Sequence, residues 1–185
     1  MPLPPSFRGA VGRQICLGCP AHFPILIASS YKTMWIALLM AGWFFQTGTA
    51  SAPGHEILGL VNEARKSGCR CGKERMPPVE PLQWDAQLAR SAALHARDMY
   101  AQGYFSHTSK DGRRIGDRAT AAGFRWRAIG ENLGYGYATA EQVVKGWKGS
   151  PGHCKNLMSP KFTRMGAASQ GSYWVQVLGR PSPGG

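Results

Sequence analysis

Apolar side chains in residues 55–67, HEILGLVNEARKS, fall at Ile57, Leu60, Val61 and Ala64. That i, i+3, i+4, i+7 stripe predicts an amphipathic helix, ended by Gly68. The next stretch, CRCGKERMPPVEP, contains three prolines and is expected to be a loop. Residues 84–102 predict a long, Ala-rich helix with Leu88, Ala92, His95 and Met99 on one face. Asp85 suits its N-terminus and Gly103 its C-cap.

YFSH, 104–107, is expected to be a short extended piece leading into the turn TSKDG. A short helix follows around Ile115–Ala122 and stops at Gly123. WRAIGENLGYGY, 126–137, is strand-like with glycine interruptions. Thr139 and Gln142 make a capping box, and Ala140, Val143, Val144 and Trp147 give another helical stripe. SPGHCKNLMS is a Pro-opened turn or short helix. RMGAAS and SYWVQVLG are expected to be two strands of a hairpin turning at Gly171. Helices early and in the middle, with strands late, predict an α+β layered domain with an antiparallel sheet covered by helices.

The N-terminal part is different. MWIALLMAGWFFQTGTASA, 34–52, is apolar, ends in the small residues Ala50-Ser51-Ala52, and follows Lys32. This is the pattern of a cleaved export signal, with an apolar core too short to span a bilayer comfortably. Residues 1–52 are thus expected to be leader and signal, and 53–185 a single domain destined for the periplasm or the extracellular space. Residues 1–33 hold five prolines, and Met34 is an alternative start. An uncleaved membrane anchor is the alternative for the apolar run.

The 185 residues carry a formal net charge of +12. Loss of Arg8, Arg13 and Lys32 from the 22 basic residues leaves 19 against 10 acidic ones, or +9. Such a surface is drawn to anionic partners, including lipid headgroups and cell-wall polymers. The basic residues are scattered, and no specific nucleic-acid site is expected.

Cys69, Cys71 and Cys154 remain after cleavage. Cys69-x-Cys71 is a poor zinc knuckle without a second pair, and its members are too close to bridge each other easily. One of them is expected to pair with Cys154, closing a loop of over 80 residues. In the chain-entropy model such a closure is worth about 4 kcal/mol.

The polar residues that could carry chemistry are His107, Glu131 and His153, with Asp111 and His95 as additions. Two imidazoles and a carboxylate suit a divalent metal or a general acid–base set. Against this, a histidine is commonly just a hydrogen-bonding residue, and Asp111 before Gly112 suits a turn. His95 lies on an apolar helical face and suits core packing. Ser106 beside His107 is a poor hydrolase pair, because neighbours on an extended piece point to opposite faces.

YFSHTSKDG, IGENLGYG, VVKGWKGSPGHCKNLMSP and YWVQVLG, in this order, resemble the CAP superfamily of cysteine-rich secretory, antigen 5 and pathogenesis-related-1 proteins, also called the SCP domain. The resemblance covers about Ile57 to Leu178. It implies a three-layer α-β-α sandwich, secretion, and a groove lined by two histidines and two acids. By the motifs these are His107, His153 and Glu131. Many members carry a Glu shortly after the first histidine; here Asp111 is the nearest carboxylate. The resemblance also implies a disulfide from Cys154 to the loop after the first helix, with Cys71 fitting better than Cys69. A zinc ion held by His107 and His153, with Glu131 and Asp111 as supporting groups or weak ligands, is the expected cofactor. Three functions follow as expectations: a secreted module binding a lipid or cell-envelope ligand, a metal-assisted or acid–base hydrolase acting on peptides or glycans through His107, Glu131 and His153, and a non-catalytic structural protein.

Overall fold

A computed structural model describes residues 53–184. The leader and export signal expected over 1–52 lie outside them. Among the described residues no helix is long and apolar enough to cross a membrane.

Among the described residues there are five helices, and α1, α2 and α4 form where the apolar stripes fall. They are α1 (Pro53–Ser67), α2 (Ala86–Gln102), α3 (Ile115–Ala121), α4 (Ala140–Gly149) and α5 (Pro151–Leu157). The Asp85 carboxylate accepts from the backbone N–H groups of Gln87 and Leu88 at 2.9 and 3.0 Å, so it satisfies two free donors at the start of α2. Gly103 ends α2 with φ 63°, a left-handed conformation that glycine adopts without a side-chain clash. Thr139 caps α4 through the N–H of Gln142. Gln142 reaches back to the N–H of Ala138 rather than to that of Thr139, so the expected box closes one residue early. PGHCKNL is a true short helix, preceded by Ser150 at its N-cap and opened by Pro151 in its first turn.

The main sheet has the order β3 (Gln83–Trp84), β5 (Arg164–Gln170), β6 (Tyr173–Pro181), β4 (Trp126–Tyr135). Strands β5 and β6 form the expected antiparallel hairpin around Gly171. Strand β4 runs unbroken through its glycines and pairs antiparallel with β6, Glu131 opposite Val177 and Asn132 opposite Gln176. Alternation along the strands divides the core. Met165, Ala167, Trp174 and Leu178 pack with α1 and α4 residues such as Ile57, Val61, Val143 and Trp147. Val175, Val177 and Leu133 face the other way, onto Leu88, Ala92, Ala96 and Met99 of α2. The result is an α-β-α sandwich. Its closest approach is at Gly166, where a Cβ would overlap the backbone of Leu88 and Ala89. Only glycine lets α2 lie this near the sheet.

One local expectation is corrected, and two details were not foreseen. The proline-containing loop begins with a small hairpin, β1 (Cys69–Cys71) and β2 (Glu74–Met76), turning at Gly72 with φ 63°. The prolines follow it. The expected extended piece YFSH pairs with no strand: Tyr104 N–H closes the end of α2 on Met99 O, and Ser106 O is taken by the His95 side chain. The two-residue β3 pairs parallel with β5 and was not apparent in the pattern.

Candidate functional site

Glu131 sits at the centre of the polar cluster. Its side chain is 2% exposed, and each carboxylate oxygen has one partner. Oε1 accepts from His107 Nδ1 at 2.8 Å, and Oε2 accepts from Arg118 Nη2 at 2.7 Å. Burying a charge is costly unless it is paired and bonded, and here the pairing comes from α3. Arg118 does more than neutralise. Its Nη1 donates to His107 O at 3.0 Å, Arg113 O at 2.8 Å and Ser109 Oγ at 3.2 Å. The loop that presents His107 is therefore gathered around the same guanidinium that holds Glu131.

The His107 side chain is 59% exposed. A carboxylate only accepts, so Nδ1 carries the proton of the neutral ring and Nε2 keeps its lone pair. His153 comes from α5 and lies near enough to feel His107. Partial burial, with the charge of His107 adding, holds its imidazole below the ordinary value. A neutral ring is the form that binds a metal ion.

Two side-chain amides place α5 on β4. Asn132 Nδ2 donates to His153 O at 3.3 Å and to Gln176 Oε1 at 2.9 Å. Asn156 Nδ2 donates to Asn132 Oδ1 at 3.0 Å and Glu131 O at 3.4 Å. The third tie is covalent. Cys71 and Cys154 form a disulfide with a sequence separation of 83, stapling α5 to the small hairpin. Cys69 is free and half-buried, with its Sγ 3.5 Å from that of Cys154. Burial raises its thiol pKa, and Lys148 lowers it by a smaller amount.

Among the described residues, Cys69, Cys71 and Cys154 are the one set of three metal-capable side chains whose ligand atoms all lie within 4.8 Å of one another. Metal ligation takes thiolates, so this cluster could hold an ion only with the disulfide reduced. His107, Glu131 and His153 are neighbours but do not close to that spacing.

The remaining candidates have other tasks. Asp111 is exposed and accepts from Arg113 Nε at 2.7 Å and from the Arg113 N–H at 3.1 Å. These bonds hold its carboxyl below the usual range. It is a turn residue whose charge is already matched. His95 is buried in the α2 face, where Nε2 donates to Ser106 O at 2.9 Å. The Ser106 hydroxyl accepts from the Thr108 N–H and serves the same turn.

The profile of the cysteine-rich secretory protein family, CAP, matches residues 58–178. The chain belongs to the CAP family. It is 38% identical over 131 residues to the uncharacterized protein YkwD of Bacillus subtilis, covering 69% of this chain and 47% of YkwD. It is 35% identical over 122 residues to the uncharacterized membrane protein YlbC of the same organism, covering 65% of this chain and 32% of YlbC. This CAP chain thus spans about half of one curated relative and a third of the other. An extracellular SCP-domain protein of Bacillus anthracis superposes with a TM-score of 0.63 at 29% identity, over 69% of this chain and 40% of that one. An outer surface protein of Borrelia burgdorferi shares the fold, with a TM-score of 0.55 at 19% identity over 69% of this chain and 89% of that one.

Three residues that organise the CAP site escaped sequence reasoning: Arg118, Asn156 and Gln176. Gln176 had a signal, because an amide inside the apolar run WVQVL must find a buried partner. Arg118 and Asn156 had none, since short polar helices suggest only a solvated face.

Proposed function

We propose that this CAP domain is an exported, non-catalytic module that binds a lipid or other cell-envelope ligand beside a weak divalent-metal site on His107 and His153. The observation that carries this reading is the state of Glu131. A general base must reach the proton it removes. Both Glu131 oxygens are already bonded, and the side chain is out of solvent. That speaks against Glu131 as a free general base and for a carboxylate that orients a histidine.

The ligand side rests on an aromatic patch next to His107. Phe105 and Tyr135 are 50% and 56% exposed. Their ring centroids are 5.8 Å apart, and that of Tyr173 lies 4.7 Å from that of Tyr135. Contiguous exposed apolar groups of this kind mark interaction surfaces. The formal +9 of residues 53–185 favours anionic envelope surfaces. The extracellular and outer-surface descriptions of the structural relatives support export, with cleavage before Pro53 as part of the proposal.

His107 Nε2 and the ring of His153 would hold the ion, and Glu131 would fix the His107 ring and raise its basicity. A bound ion would supply a Lewis-acidic point for a ligand oxygen. Asp111, matched to Arg113, is not needed. Two protein ligands bind weakly, so water or ligand oxygens complete the sphere. Calorimetric titration with zinc tests the metal site, and His107→Ala and His153→Ala should each abolish the heat seen with wild type. Equal binding by all three proteins overturns it. Co-sedimentation with phosphatidylglycerol vesicles tests the surface, and the pair Phe105→Ala and Tyr135→Ala should weaken it.

A further inference from the structure

Basic residues that lie far apart in the sequence meet at one end of the sheet. Arg127, Lys161 and Arg180 line an open cavity of about 360 Å³, with Ala128 and Pro160 between them. Small-molecule sites commonly measure about 300–1,000 Å³. No Asp or Glu lines this cavity. The ion pairs among the described residues all involve other side chains.

Each cation is brought there by a local device. Arg180, on β6, donates from Nε to Lys161 O at 2.7 Å and from Nη2 to Pro160 O at 2.8 Å. These bonds fix the plane of the guanidinium and leave Nη1 for another acceptor. Arg127 lies where the register of β4 on β6 slips: Trp126 is opposite Pro181, but Ala128 is opposite Arg180. Arg127 is thus the extra residue of a bulge, a device that re-aims a side chain, and it lines the same hollow as Arg180. Lys161 comes from the turn after α5, where its N–H donates to Ser159 Oγ at 3.3 Å. Arg127 and Lys161 are exposed and Arg180 is half-buried, so all three can meet a ligand from solvent.

Packing does not account for the cluster. The carbonyls of the turn need Arg180 alone, and like charges brought together repel. A multiply charged anion turns that repulsion into attraction. The arginine fork matches the oxygens of phosphate, and lysine adds a point charge. A carboxylate brings one charge and two oxygens, whereas a phosphate monoester brings about −1.5 to −2 and three oxygens. We propose that this cavity binds a phosphate monoester group, with Arg180 as the pre-set fork and Arg127 and Lys161 completing the charge match. The proposal does not rest on the metal or aromatic readings. At a rise of about 3.3 Å per residue, β4 puts Tyr135 roughly 25 Å from Arg127.

NMR titration of the full chain at constant ionic strength, observing arginine side-chain nitrogens, tests it. Glycerol 1-phosphate should bind saturably and shift Nε of Arg127 and Arg180, and acetate should bind more weakly. Arg127→Gln combined with Lys161→Gln removes two exposed charges, leaves the carbonyl bonds of Arg180 in place, and should weaken binding about fivefold. Lys73→Gln combined with Lys145→Gln lowers the net charge equally at exposed positions elsewhere and should leave binding unchanged. Co-sedimentation with phosphatidic acid vesicles identifies the source of the phosphate. A loss confined to the Arg127/Lys161 variant assigns it to a lipid headgroup, and unchanged sedimentation assigns it to a soluble ester. The proposal is overturned if glycerol 1-phosphate does not bind saturably or if acetate matches it. It is equally overturned if the Arg127/Lys161 variant binds like wild type, or if both double variants weaken alike, the response then being to net charge only.

Discussion

Arg118 and Glu131 form a buried ion pair, 2.7 Å from Nη2 to Oε2, with 5% and 2% of their side chains exposed. Removing one partner strands the other. Arg118→Ala should cost about 3–5 kcal/mol, a fall in Tm of roughly 10–20 °C. Adding Glu131→Gln removes the stranded charge, so the double variant should be more stable than the sum of the single losses requires. Thermal denaturation followed by circular dichroism measures both. Strict additivity would mean that the pair is not coupled.

Asn156 joins α5 to β4 through Asn132 Oδ1 and Glu131 O. Asn156→Ala leaves a buried amide oxygen without a donor and should cost about 1–3 kcal/mol. It also frees the segment that carries His153. Zinc affinity should fall in this variant although neither histidine has changed, and a retained affinity with lowered Tm would assign Asn156 to the fold alone.

His95 and His153 both favour the neutral ring in the folded state, chiefly through burial. In the unfolded chain an imidazole protonates near pH 6.5. Below that value the unfolded state binds more protons, and stability falls with pH. This contribution is fully present above about pH 6.5 and is lost as pH falls through the depressed folded values. Tm measured across that window should be flat above it and decline beneath it. His95→Gln should flatten the decline, and an unchanged slope would exclude His95 as a source.

The disulfide closes a loop across a sequence separation of 83. Cys154→Ser should cost about 4 kcal/mol, as in the chain-entropy model. Cys71→Ser should cost less under oxidising conditions, because Cys69 Sγ already lies 3.5 Å from Cys154 Sγ and can form the replacement bridge. Peptide mapping without reductant identifies the bridge in each variant. A Cys71→Ser protein that stays reduced and is as unstable as Cys154→Ser would rule out the substitution of one cysteine by the other.

Legibility followed the range of the interaction. Helices α1, α2 and α4 were visible because their apolar stripes and caps, Asp85 and Thr139 among them, are local. The β5–β6 hairpin was visible for the same reason, with Gly171 at its turn. The β1–β2 hairpin was hidden, because its three-residue strands give no period and an anchor on Cys154 is far away in sequence. Likewise β3 is two residues whose only sheet partner, β5, comes about 80 residues later. Within the site, His107, Glu131 and His153 stood out as polar residues able to carry chemistry, and the motif resemblance made that choice specific. Arg118 is held there by backbone carbonyls and a buried carboxylate, and neither leaves a pattern in the residues around it.

Strand β4 is one of the two outer strands of the sheet and ten residues long. An outer strand of that length would ordinarily be a template for another chain. Here the carbonyl of Glu131 accepts from Asn156 and that of Leu133 accepts from Trp147 Nε1 at 2.8 Å. The middle of the edge is therefore occupied by side chains of α4 and α5. A second molecule approaching in register meets helices instead of a vacant ladder. The contacts that seat the histidine-bearing helix thus also guard the domain against edge-to-edge aggregation.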